Sequence, residues 1–384
     1  MTTHDETART DRPSGGPGSP RRTRLPRPGA ARPGPATGGL LGRVPPAAVL
    51  TGLLLALLAS VVVAIGLGPV SIPPGGVLDA VTAHLAGGSS GIDRAEDFIV
   101  WELRTPRVLL GVVVGAGLAV AGLLVQTMVR NPIGDPYILG LSSGASVGAV
   151  LVITTIGTAT AGLFTLPAAA FAGAALTGVG VFALSRVRGR LHATRMVLAG
   201  VAVGQLLGGV TSFLLLRTRN TDAQQQVLFW MLGSLAGARW DLLGLSAAVV
   251  GVLLVPLWWQ ANRVNLLVLG EDTASALGTD PTRLRAALFV LTGLLTGAVV
   301  AVAGSIGFVG LVVPNLARLL FGADHRRTLP VCVLLGALVV VWSDTAARVV
   351  IAPTELPIGI LTAAIGVPFF LYVLRRSATG AVGV

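Results

Sequence analysis

The sequence contains no lysine and only one cysteine among its 384 residues. A single cysteine, Cys332, excludes both a disulfide framework and a cysteine-rich metal site. The phosphate-binding loop of the G-x-x-x-x-G-K-[ST] type needs a lysine, so the chain cannot carry that ATPase motif. We therefore expect a protein that is not an enzyme and that holds neither a metal nor another cofactor.

Charged residues are scarce as well, at 12% of the chain against 53% hydrophobic residues. A soluble domain carries about 25% charged residues. Several apolar runs reach the ~20 residues that an α-helix needs to cross a bilayer. They are near-continuous, whereas the strands of a membrane β-barrel alternate apolar and polar residues. The sequence predicts an all-α polytopic membrane protein.

We predict ten transmembrane segments from these runs. Their bounds are 46–67, 105–128, 137–157, 162–185, 195–216, 241–260, 284–303, 307–321, 329–350 and 357–374. Residues 1–43 are rich in Pro, Gly, Ser and Arg and have almost nothing to bury, which predicts a disordered cytoplasmic tail. The transmembrane domain is then residues 44–384.

The arginines predict the orientation of the chain in the membrane. With the N-terminus inside, 21 arginines fall in inside segments and 7 in outside segments. Short cytoplasmic loops carry the excess of basic residues in membrane proteins, so both termini are expected in the cytoplasm. The net charge of +11 is then explained by membrane topology. The expected surroundings are membrane lipid, and no nucleic-acid partner is expected.

An internal repeat divides the transmembrane domain. When the sequence is aligned with itself at an offset of 182 residues, Val108–Pro132 matches Val290–Pro314 with ten of 25 positions identical. The copies begin in the second and seventh segments, and this odd offset of five makes them cross the membrane in opposite directions. We therefore predict an inverted repeat with halves at about 105–216 and 284–374, a plan common in transporters.

Charges at the predicted outer ends of the segments allow two readings each. Arg104 and Arg107 stand at the outer end of the second segment, and Arg348 lies near the outer end of the ninth. Three cations on one side form a socket for carboxylates, or they snorkel to lipid headgroups. Asp344 lies inside the ninth segment, where a charge costs about 2.5–3.5 kcal/mol and is usually functional. It fits a proton relay, or an ion pair with Arg348 one turn away.

Polar side chains also lie near the breaks between helices. The turn Arg130–Pro136 contains two prolines and cannot continue a helix. These polar residues either line a pathway through the membrane or satisfy backbone groups that the breaks set free. They are Gln126, Asn131, Ser142, Ser143 and Asn315.

The loop between the sixth and seventh segments predicts a short helix. Glu271 stands near its start, where an acid is favourable, and Gly278 is a typical glycine after a helix end. Such a helix, with one apolar face, suits the groove of a partner protein, or it is a solvated linker. The residues that define it are Gly270, Glu271, Ala274, Leu277 and Gly278.

Several motifs occur together at fixed spacing. They are R-T-P-R at Arg104–Arg107, G-A-G-L-A-V-A-G at Gly115–Gly122, N-P-I-G-D-P at Asn131–Pro136, L-G-L-S-S-G-A at Leu139–Ala145, and L-P-I-G at Leu356–Gly359. This combination resembles the FecCD-type permeases of ABC transporters, which import ferric siderophores, haem and vitamin B12. The resemblance covers about residues 45–375 and implies a fold like that of the vitamin B12 permease.

The resemblance implies a role for each group of residues. Arg104, Arg107 and Arg348 match arginines that receive acidic residues of a substrate-binding protein. The residues Gly270, Glu271, Ala274, Leu277 and Gly278 match the motif that couples the permease to its ATPase. Asn315 stands where the family commonly has histidine, so we assign it no proton chemistry.

The implied function is that of a permease subunit in a binding-protein-dependent importer of the bacterial cytoplasmic membrane. Its expected partners are cytoplasmic ATP-binding subunits, an extracytoplasmic substrate-binding protein and a second permease, identical or paralogous. Ferric siderophores are the favoured cargo, with haem and cobalamin as the other candidates. A secondary transporter driven by an ion gradient is the alternative. Asp344 and the interrupted helices fit it, whereas the coupling motif does not.

Overall fold

A computed structural model describes residues 44–158, 160, 162–352 and 354–378, and the predicted tail 1–43 lies outside them. In the first half of the chain the helices are α1 Pro46–Gly66, α2 Pro74–Ala86, α3 Arg94–Phe98, α4 Thr105–Val129, α5 Leu141–Thr155, α6 Thr165–Ser185 and α7 Ala193–Arg217. In the second half they are α8 Thr221–Leu232, α9 Trp240–Val268, α10 Glu271–Ala276, α11 Pro281–Ala303, α12 Val309–Phe321, α13 His325–Val349 and α14 Ile358–Ala378.

The helices confirm the prediction of an all-α polytopic membrane protein. Seven helical stretches in the described residues are long and apolar enough to cross a membrane, and three shorter apolar helices accompany them. The ten agree in order and approximate position with the ten predicted segments. Strands β1 Arg186–Val187 and β2 Arg190–Leu191 form a small antiparallel hairpin between α6 and α7.

The second segment begins earlier than the sequence indicated. Helix runs without interruption from Arg94 to Val129, although the predicted segment began at residue 105. The stretch Ile99–Arg104 just before the proline is a π-helical turn. Such a turn changes the backbone hydrogen-bonding pattern locally, so the helix accommodates a proline that lacks an N–H donor.

Helix α4 forms the centre of the fold, and nearly all of its residues are buried. Its glycines let neighbouring backbones approach closely: a Cβ on Gly115 would collide with the carbonyl of Gly336 in α13. A Cβ on Gly122 would meet the backbone of Gly310 in α12 in the same way. Small residues at such crossings are how membrane helices gain packing area without a hydrophobic driving force between them.

The two copies of the internal repeat differ after their shared A-V-A-G run. The first copy stays helical through Gly122 as far as Val129. The second ends α11 at Ala303, and Gly304 adopts a left-handed backbone with φ of 66°. Phe308 has φ of 67° just before α12 begins. The second copy is therefore a helix, a break and a new helix.

Aromatic residues fix the start of α9. The ring of Trp240 lies 4.6 Å from that of Trp101, and its indole Nε1 donates a hydrogen bond of 3.1 Å to the Trp101 carbonyl. Helix α9 then continues for 29 residues, well beyond the predicted end at residue 260. Pro256 lies inside it without ending it.

The contact between α4 and α13 generates a stability prediction. We expect Gly115→Ala to lower the melting temperature of the purified protein clearly or to prevent folding, because overpacking typically costs about 1–3 kcal/mol and a backbone carbonyl has little room to move. Gly251→Ala in α9 is the matched control, since a Cβ there meets nothing within 4 Å. Equal thermal melting of the two variants in detergent would contradict close packing at Gly115.

Candidate functional site

The predicted outer arginines meet around Asp344. Arg107 Nη2 lies 2.9 Å from Asp344 Oδ1, and Arg348 Nε lies 3.1 Å from Asp344 Oδ2. Arg107 Nη1 also donates to Glu355 Oε1 at 2.9 Å. Asp344 is only 1% exposed. The ion pair between Asp344 and Arg348 is therefore confirmed, and Arg107 is a third member that the sequence did not reveal.

Two of these arginines also bind the backbone at the end of α1. Arg104 donates to the carbonyls of Ile65, Gly66 and Val70. Arg348 donates to those of Ala64 and Leu67. The last carbonyls of a helix have no partner within the helix, so these side chains terminate α1 and hold it against the core.

The structure brings the three predicted docking arginines together on one face, which also carries α2 and α3. Arg104, Arg107 and Arg348 are nevertheless all buried, and their guanidinium groups already have partners. The charged side chain of this group that reaches the surface is Glu355, with 42% of its side chain exposed. A role in docking thus stays a prediction.

The loop between α9 and α11 forms the predicted short helix, α10. Gly270 precedes it with φ of 114°, and Gly278 follows with φ of 78°. Ala274 is buried, whereas the side chain of Leu277 is 59% exposed. The element thus packs one apolar residue inward and presents another at the surface, as a docking helix needs.

Glu271 connects α10 to the rest of the protein. Arg285 of α11 donates from Nη2 to Glu271 Oε1 at 2.8 Å, and this hydrogen bond lowers the pKa of Glu271. Arg130, just after α4, lies 4.0 Å from the same oxygen. Because α4 ends next to α10, the α10 face lies opposite the face that carries the outer arginines.

The predicted pathway residues separate into two groups. Gln126 and Asn315 are buried together and both bind Arg318, Gln126 through Oε1 and Asn315 through Oδ1. Gln126 Nε2 donates to the Gly310 carbonyl, and Asn315 Nδ2 to the Pro132 carbonyl, at 3.2 and 2.8 Å. This group therefore satisfies backbone carbonyls in the turn after α4, at Pro132, and inside α12, at Gly310, four residues before Pro314.

The other three residues lie elsewhere. Asn131 is exposed, and its Oδ1 accepts the Ile133 N–H within the turn. Ser142 and Ser143 are half-buried in the first turn of α5. Ser143 lies near Gly204 of α7, where an added Cβ would be 3.5 Å from its hydroxyl.

Three further residues connect distant parts of the fold and were missed. They are Arg285, Arg318 and Tyr137, whose hydroxyl both accepts from and donates to the backbone of Ile306. Arg318 had a usable signal, since a charge inside an apolar segment is usually functional or paired. Arg285 and Tyr137 had none, because their partners are distant in sequence. No group of three potential metal ligands occurs in the part of the chain that the structure describes.

A profile of the FecCD transport family matches residues 54–376. The chain belongs to the FecCD transport family. This FecCD chain is 42% identical to the cobalamin import system permease protein BtuC of Halobacterium salinarum over 76% of its own length and 78% of that protein. It is 40% identical to the hemin transport system permease protein HmuU of Yersinia pestis, over 72% and 83% of the two chains.

Further matches come from an iron-citrate relative and a solved structure. The Fe(3+)-citrate import system permease protein YfmE of Bacillus subtilis is 35% identical, over 83% of this chain and 91% of that protein. A metal-chelate type ABC transporter in an inward-facing conformation matches with a TM-score of 0.76 and 31% identity, over 86% of this chain and 99% of that one.

These matches establish what the FecCD chain does in general terms. It is a multi-pass membrane protein and the permease component of an ABC importer, and ATP hydrolysis belongs to separate subunits. The family resemblance and the expectation that the chain is not an enzyme are confirmed. The alternative of a transporter driven by an ion gradient does not agree with this family.

The ion cluster generates a second stability prediction. We expect Asp344→Asn to destabilise the protein by about 3–5 kcal/mol, because it removes the carboxylate that both buried arginines share and leaves Arg107 paired only with Glu355. Glu355→Gln is the control. It removes a partly exposed partner of the same arginine and should cost less than about 1 kcal/mol. Thermal melting of both variants in detergent measures the difference, and similar melting temperatures would contradict the structural role of Asp344.

Proposed function

We propose that this FecCD chain imports a ferric siderophore, together with cytoplasmic ATP-binding subunits and an extracytoplasmic substrate-binding protein. The relatives named above carry cobalamin, hemin and Fe(3+)-citrate, and the similar solved structure is of metal-chelate type. Every one of these cargos is a metal held by an organic chelator, and two contain iron. A ferric siderophore belongs to the same chemical class.

The single observation that carries the ATPase partnership is the exposed Leu277 on α10. This apolar side chain directly follows the last residue of a short, glycine-bounded helix, and it is 59% exposed. We assign the α10 face to the cytoplasm, because the arginine-rich hairpin and Arg130 lie there and cytoplasmic loops favour basic residues. Both termini are then cytoplasmic in a bacterial cytoplasmic membrane.

The opposite face is the proposed docking surface for the substrate-binding protein. Arg107 holds Glu355 at 2.9 Å at the edge of the buried ion cluster. An acidic side chain of the binding protein can replace Glu355 as the partner of Arg107. Arg104 and Arg348 stabilise the proposed docking surface, because their hydrogen bonds hold the end of α1 in place.

A second permease, identical or paralogous, is proposed to pack near α7. In this helix Gln205, Gly208, Gly209 and Ser212 are all exposed, and their spacing places them on one face. A Gln and a Ser facing hydrocarbon would be costly, so this face suits a subunit contact or a wet pathway. Ser142 and Ser143 begin the neighbouring helix. We place the pathway between the two subunits there, with the buried pair Gln126 and Asn315 and the separate, exposed Asn131 at its cytoplasmic end.

Transport then follows from two states of the complex. Closure of the ATPase subunits on ATP moves α10, and Glu271 transmits the movement through Arg285 to α11. A conformational change needs contacts that differ between the two states, and the contact of Leu277 with the ATPase supplies one. The pathway opens alternately to the two faces.

Uptake into proteoliposomes tests this function. The chain is reconstituted with the ATPase and binding protein of its importer, and labelled ferric siderophore, hemin and cobalamin are compared. We expect ATP-dependent uptake of the siderophore. ATP-dependent uptake of hemin or cobalamin alone would correct the cargo, and uptake that needs no ATPase would overturn the proposed mechanism.

Leu277→Asp is expected to reduce co-purification with the ATPase at least about tenfold, because it places a charge where an apolar side chain enters a groove. Leu85→Asp on α2 is the control, since Leu85 is 77% exposed on the other face. Both variants should melt like the parent protein. Undiminished ATPase binding by Leu277→Asp would show that α10 is not the principal contact.

A further inference from the structure

The β1–β2 hairpin concentrates positive charge on the α10 face. Arg186, Arg188 and Arg190 are all exposed, and none of them forms an ion pair within the described residues. The chain has no acidic residue between Asp135 and Asp222. The charge of the hairpin is therefore not compensated by its sequence neighbours.

The turn of the hairpin holds its arginines in a defined position. Arg188 and Gly189 have φ of 49° and 83°, as in the two-residue turns whose twist matches antiparallel strands. Glycine or asparagine would adopt the first position with less strain than arginine does. The turn thus places Arg188 at the tip of the hairpin, between the two strands.

The hairpin forms one wall of a groove, and α10 forms the other. Arg188 and Arg190 face the acidic side chains Glu271 and Asp272 across a cavity of about 690 Å³. The stretch from Gly278 to Thr282 also lines it and adds a third acid, Asp280. The groove is thus basic on one side and acidic on the other.

One guanidinium group fixes the distance between these walls. Arg285 is buried, and its Nη1 donates to the Leu191 carbonyl of β2 at 2.8 Å. Its Nη2 donates to Glu271 of α10, also at 2.8 Å. Movement of α10 is therefore passed directly to the hairpin and to the start of α7.

We propose that the hairpin is a second docking element for the ATPase subunit, which inserts a segment into this groove. An acidic side chain of that segment binds Arg188 and Arg190, while a basic or hydrogen-bonding group faces Glu271 and Asp272. An anionic lipid headgroup meets the arginines but is repelled by the acidic wall, so a protein segment with both kinds of group fits better. The inference rests on the proposed ATPase partnership and extends it beyond α10.

The test measures ATPase affinity for the full-length chain in nanodiscs of neutral phosphatidylcholine. We expect the double variant Arg188→Glu with Arg190→Glu to bind the ATPase at least about tenfold more weakly, with a loss that shrinks as salt rises. The matched control, Arg326→Glu with Arg327→Glu, changes the charge equally through two exposed arginines at the start of α13. It should bind like the parent chain. A photo-crosslinker at position 188 should label an acid-containing segment of the ATPase.

The possible results separate the proposal from the general function. Equal ATPase affinity of the parent and the hairpin variant would overturn the hairpin contact and leave ATPase coupling intact. A variant defect that appears only as weaker binding to phosphatidylglycerol vesicles would identify a lipid site and also overturn it. Failure of the parent chain to bind the ATPase at all would overturn both.

Discussion

The fold depends on how closely α13 and α12 approach α4. Backbones touch at Gly115 with Gly336 and at Gly122 with Gly310, and any side chain there would push the helices apart. Arg107 stands eight residues before Gly115, and Asp344 stands eight residues after Gly336. Because α4 and α13 run in opposite directions, equal offsets from the glycine contact bring these two charges together. The ion cluster on one face and the polar group around Gln126 thus both follow from glycine packing.

Much of the architecture could be predicted because its signals are local. Apolar runs of sufficient length indicated the ten segments. Glu271 near the start and Gly278 after the end indicated a short helix. The pairing of Asp344 with Arg348 was foreseeable as well, since the two lie one turn apart. The continuity of helix through Pro106 was not, because the π-helical turn that permits it depends on backbone packing and leaves no clear sequence pattern.

Contacts between distant segments explain the remaining differences. Arg107 lies 237 residues from Asp344, and Arg285 joins a hairpin 94 residues away to α10. Pairs of residues this far apart cannot be identified from a single sequence. The burial of the outer arginines also depends on them, since a cation near a membrane end looks the same whether it faces a partner or holds a neighbouring helix. Family membership establishes the general function. These tertiary contacts show which side chains hold α10, the hairpin and the ion cluster in place.

The length of α9 has a mechanical consequence. At 1.5 Å per residue, its 29 residues extend about 43 Å, against about 30 Å of membrane hydrocarbon. Helix α9 is thus about 13 Å longer than this layer; Trp240 packs beside Trp101 at one end, and α10 follows the other end. Because α9 is held at its Trp240 end, a tilt of the helix moves its other end the most. A tilt of about 5° moves the far end of α9 by about 4 Å, which is less than the rise of one helical turn, about 5.4 Å. The small rotations that helix packing permits in a membrane thus become a displacement as large as a docking contact.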